Sequence, residues 1–174
     1  MATTYDMTAA GTGVAASSIA ALPDVRKQAY MVEKILDIGK LVAAGRFATV
    51  ANNDVFQLLE VPAGTLVLAA GAEVLTVFNG TTPTVDIDFD AGDDIVDGGD
   101  VTAAGYLASG TNGGANTTSQ TTYTQLVSTT DTIDVKVIAA SSDVTSGVLR
   151  VYAVLVDIDG VADQADEVDR DQLA

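Results

Sequence analysis

Two stretches alternate apolar and polar residues with the period of two that marks a half-buried strand. Residues 84–90, TVDIDFD, place Val85, Ile87 and Phe89 on one face and Asp86, Asp88 and Asp90 on the other. Residues 132–139, TIDVKVIA, send Ile133, Val135 and Val137 inward and Asp134 and Lys136 outward. Residues 148–158, VLRVYAVLVDI, are apolar on both faces near their middle. That pattern predicts a central strand with packing on both sides.

Further strands fill the space between. Residues 54–62, DVFQLLEVP, form an apolar run closed by the turn signal Pro-Ala-Gly. Residues 65–79 make a long strand in which Gly71 suits a bulge or bend. Residues 100–109 read as a weaker strand, residues 110–119 as a flexible loop, and TTYTQLV as a short strand after it. An opening strand is expected around residues 30–37, with Gly39 and Gly45 limiting any helix that follows. The count is about eight strands at ten- to twelve-residue spacing, with no crossover helix between them. The fold class is therefore all-β: a β-sandwich or jelly roll of antiparallel strands with an extended N-terminal arm.

Three parts follow from this. Residues 1–28 are rich in Ala, Thr, Gly and Ser, with Pro23 near their end, and read as the arm. Residues 29–160 form the sandwich. Residues 161–174 form an acidic tail.

Composition removes several functions. Eight basic against 24 acidic residues give a net charge of −16, which repels phosphate backbones and anionic membranes. Neither nucleic acid nor membrane is an expected partner, and no stretch has the ~18–20 apolar residues of a membrane helix. The chain contains neither Cys nor His, so it has no disulfide and no Ser-His-Asp or Cys-His catalytic set. The charge is uneven. Residues 1–46 hold Arg26, Lys27, Lys34, Lys40 and Arg46 against four acids, a balance of +1, and the remaining 128 residues carry −17. This either reflects a chance excess of bases or marks a segment that docks on an acidic partner.

The densest carboxylate run spans Asp86, Asp88, Asp90, Asp93, Asp94, Asp97 and Asp100. Its D-x-D-x-D start is like that of a calcium loop, but Ala91 stands where the sharp turn needs Gly, and Asp97 stands where Glu closes the loop. An outward strand face followed by an acidic turn explains it better. Asp157, Asp159 and Asp163 read as part of a solvated tail. Glycoside hydrolysis needs a carboxylate pair across a sugar-binding cleft, whereas here the acids come in runs, Trp is absent and aromatics make up 5%. No catalytic residue, metal ligand or cofactor is assigned, and no enzymatic activity is expected.

Residues 60–80, EVPAGTLVLAAGAEVLTVFNG, and 147–160, GVLRVYAVLVDIDG, resemble segments of small virion proteins of tailed bacteriophages. The likeness covers about residues 50–160, most of the β domain. It implies a capsid decoration, or cement, protein: a β-sandwich on the outer surface of a virion, bound to the major capsid protein, forming a homo-oligomer (dimer or trimer), with an arm that reaches a neighbouring subunit. Arg26, Lys27 and Tyr30 are then the expected capsid-contacting residues. Two alternatives stand beside it: a phage tail, baseplate or neck component, and a calcium- or carbohydrate-binding adhesin module.

Overall fold

The two period-two segments become neighbouring strands of one sheet, which shares its core with a second sheet. The structure is a computed structural model, and it describes residues 3–6, 14–15, 28–89, 95–108, 124–141 and 143–158. In chain order its strands are β1 (Thr4–Asp6), β2 (Val14–Ala15), β3 (Tyr30–Asp37), β4 (Asp54–Val61), β5 (Thr65–Thr76) and β6 (Thr84–Phe89). They continue with β7 (Val96–Asp100), β8 (Gly105–Ala108), β9 (Gln125–Val127), β10 (Asp131–Ile138) and β11 (Val148–Asp157). One short helix, α1 (Ile38–Ala43), follows β3.

The first sheet runs β1-β4-β10-β6-β7, and the second runs β2-β3-β11-β5-β8 with β9 also on β5. Every pairing is antiparallel except that of β1 with β4. The all-β sandwich expected from the sequence is the fold observed. The alternating residues account for its core: Val85, Ile87 and Phe89 of β6 face Val137, Val135 and Ile133 of β10 in register, and all six are buried. Leu149, Val151, Ala153 and Leu155 of β11 close the core from the second sheet. Aliphatic residues dominate it, with Phe56, Phe78 and Phe89 as its fully or nearly buried rings.

Several local expectations change. The strand predicted over residues 100–109 is shorter: Asp100 ends β7 of the first sheet, and only Gly105–Ala108 pair, as β8 of the second. The Asp100 carboxylate accepts from the backbone N–H and the hydroxyl of Thr102 (2.8 and 2.6 Å), which turns the chain at the end of β7. Gly71 is not at a bulge. The register shifts of β5 against β11 fall at Leu75 and Leu68. Gly71 instead permits close approach: a Cβ there would lie 2.7 Å from the Leu107 carbonyl oxygen and 2.9 Å from the Tyr152 hydroxyl. The helix α1 forms despite Gly39, because the Asp37 side chain caps the Lys40 N–H at 2.9 Å and Ile38 and Leu41 are buried. Gly45, at φ +71°, lies just beyond its end.

Candidate functional site

The outer face of the first sheet is polar, as the alternation requires, but its acids are not solvated. Asp86, Asp88 and Asp134 are buried. This corrects the expectation of an outward, solubilising carboxylate row. The cause is local pairing. The Asp86 carboxylate accepts from the Lys136 ammonium at 2.9 Å on the neighbouring strand, and from the Gly98 N–H at 2.9 Å on the other side. Thr132 donates its hydroxyl to Asp134 at 2.6 Å. Asp134 lies opposite Asp88 in the register. No group of three or more potential metal ligands converges among the described residues. Asp90, Asp93 and Asp94 of the predicted acidic run lie outside them.

One edge of the sandwich is finished by the N-terminal segment. β1 adds to β4 on the first sheet and β2 adds to β3 on the second. Asp54, buried at the start of β4, makes the clip. One of its carboxylate oxygens accepts from the Thr3 N–H and the other from the Ala51 N–H, both at 2.7 Å, while the Val55 N–H donates to the Thr3 carbonyl at 2.8 Å. Sequence reading missed Asp54, because an acid opening an apolar strand looks like turn chemistry.

Of the residues expected to touch a partner, Arg26 and Lys27 lie outside the described residues. Tyr30 opens β3, half-buried against the core, and its hydroxyl titrates above the usual phenol range because of burial first and the Asp157 carboxylate second. The other bases of the N-terminal segment divide. Lys34 is buried beside Leu36, whereas Lys40 is exposed and pairs with Asp37 at 3.2 Å.

The outer face of the second sheet is different in kind. The register places Met31, Val154 and Ala69 in one row across β3, β11 and β5, and Val156, Leu66 and Leu126 in the next. Met31 is 51% exposed and Leu126 53%. Tyr152 pairs with Gly71, and its ring lies against that glycine, so the face stays flat there. Its charges sit together: the Arg150 guanidinium reaches Glu33 at 3.5 Å and bonds Glu73 on the opposite side. Among the described residues, β11 is therefore buried on one side and only half-buried on the other.

Fold and surface together define an all-β sandwich whose notable features are broad faces and a strand-completed edge. No helix among the described residues is long and apolar enough to cross a membrane. No protein-family model matches the sequence, and no curated protein matches it. Solved structures do. The chain is similar in fold to a chain of the capsid of Ralstonia phage GP4, at TM-score 0.57 and 15% identity over 80% of this chain and 91% of that one. A chain of the acid-stable capsid of Helicobacter pylori bacteriophage KHP30 also matches, at TM-score 0.42 and 19% identity over 75% of this chain and 90% of that one.

Proposed function

We propose that this chain is a non-enzymatic structural protein of a phage virion, and that it acts as a decoration protein on the outside of the capsid shell. The observation that carries the reading is the shared fold with a chain of the Ralstonia phage GP4 capsid, which extends over nearly all of that chain. The chemistry of the surface agrees. Asp86, Asp100 and Asp134 are engaged in strand pairing and turns, and the sequence lacks His and Cys.

In this reading the major capsid protein is the partner, and the N-terminal segment with Arg26, Lys27 and Tyr30 faces it. Segments that add strands to a sheet edge bind through backbone hydrogen bonds, and several such weak contacts on one shell sum to firm attachment. The acidic body then faces outward.

Reconstitution tests this. Purified chain is added to capsids that lack it, and occupancy and shell stability are measured for the full chain and for a chain lacking residues 1–28. Binding of the full chain, with a raised temperature of shell rupture, is expected. Loss of occupancy by a deletion variant that keeps the melting temperature of the full chain assigns the arm, and undiminished occupancy removes it from the contact. Failure of the intact chain to bind any capsid of its phage would contradict the proposal.

A further inference from the structure

Among the described residues, the outer face of the second sheet gathers large apolar side chains that the fold leaves exposed. The strand at its centre, β11, carries apolar side chains on both sides, but only Leu149, Val151, Ala153 and Leu155 reach the core. On the other side Val154 and Tyr152 are half-buried, and the flanking strands add exposed Met31, Leu68, Leu126 and Tyr106. Leu68 is an extra residue at a register shift, so the bulge adds a large apolar side chain to the surface.

We infer that this face is a two-fold interface between two copies of this chain, packed sheet against sheet with Val154 and Tyr152 near the axis. Three observations select a second copy as the occupant. The first is charge. The chain carries −16, so two copies repel each other across most of their surfaces. Among the described residues this face carries Arg150, Glu33 and Glu73, joined to one another, and at its end Asp37, paired with Lys40, so a like face meets it with little net charge. The second is area. With strands ~4.8 Å apart and a rise of ~3.3 Å per residue, four strands by nine residues span on the order of 600 Å² in projection. Side-chain relief raises the accessible area toward the roughly 800 Å² that each partner contributes to a stable interface.

The third is shape. Gly71 lets the Tyr152 ring lie against the sheet, leaving a flat surface that a symmetry-related copy can match. An isologous contact needs one self-complementary patch, and aligned packing of two sheets at roughly −30° is the ordinary way to cover one. The inference stands whether or not the virion reading does, because it uses only the surface of this chain.

Sedimentation equilibrium on the full chain gives the first measurement. A mass of twice 17.7 kDa is expected. Met31→Asp and Leu126→Asp are each expected to weaken association at least tenfold with an unchanged circular-dichroism spectrum, because both side chains are exposed and neither supports the core. Ala48→Asp, on an exposed loop between α1 and β4, should leave the mass unchanged. A second measurement does not depend on disruption. The chain contains no cysteine, so a short bis-maleimide should link a Val154→Cys variant into dimers and leave a Thr81→Cys variant monomeric. A single-chain or three-chain mass overturns the inference. So does a dimer indifferent to both Asp substitutions, or a Val154→Cys chain that is captured only by another virion protein or only by a segment of its own chain.

Discussion

Gly147 shows how one residue can hold two parts of this fold together. It adopts φ +145°, and a Cβ added there would run into the ring of Phe78. Its carbonyl also accepts from the Ile38 N–H at 3.0 Å at the start of α1. Gly147→Ala combines backbone strain with overpacking and is expected to cost about 2–4 kcal/mol, read from urea unfolding. Asp54 is a second such residue. Asp54→Ala removes both acceptors for the Thr3 and Ala51 N–H groups, and should raise hydrogen exchange across β1 while lowering stability by about 1–3 kcal/mol.

Acid sensitivity also belongs to single residues. Hydrogen bonds from Ser141 and then Thr81 hold the Asp143 carboxyl below the usual carboxylate range, and Thr102 does the same for Asp100. A lowered folded value means that the stabilisation is complete above the unfolded value of about 3.8 and disappears as pH falls through the folded one. Melting temperatures of wild type and Asp143→Asn should therefore differ at pH 6 and draw together as pH falls below the unfolded value. A difference that persists at low pH would show that Asp143 acts through something other than its charge.

At the scale of the element, the buried polar layer on β6 and β10 is the least expected part of the protein. Alternation correctly assigns Asp86, Asp88, Asp134 and Lys136 to the face away from the core. It cannot say that this face is itself shielded, because burial depends on which groups the register sets beside each carboxylate. Removing Lys136 leaves the buried Asp86 charge with the Gly98 N–H alone. Lys136→Met should cost about 3 kcal/mol, and adding Asp86→Leu should restore part of the loss, because a buried pair replaced whole costs less than one broken in half. A double variant no more stable than the single one would contradict this.

The same comparison shows what strand patterning conveys. The bounds of β3, Tyr30–Asp37, and the inward sets of β6 and β10 are legible, since period two and turn residues are local signals. The late start of β8 at Gly105 is not, because it rests on the Asp100 turn that ends β7 and on which sheet offers a free edge. The outer face of β11 is half legible: its two-sided apolarity calls for a cover, and among the described residues that side is only half-buried.

For the whole molecule, charge sets the balance. Apart from the engaged pairs, −16 on one chain is repulsive, and added salt screens it. Raising sodium chloride from 0.05 to 0.5 M should raise the melting temperature by a few degrees, the scale on which about 1 kcal/mol moves a domain of this size. The opposite trend would mean that ion pairs such as Asp86–Lys136 and Arg150–Glu73 outweigh the general repulsion.

The virion role is a claim about where the molecule resides and in how many copies. Quantitative mass spectrometry of purified phage particles, with the copy number scaled to the major capsid protein, measures it most directly. Repeated equivalent sites on a symmetric shell predict copies on the order of hundreds per particle. Tens or fewer would move the protein to the tail or neck, and none would remove it from the virion altogether.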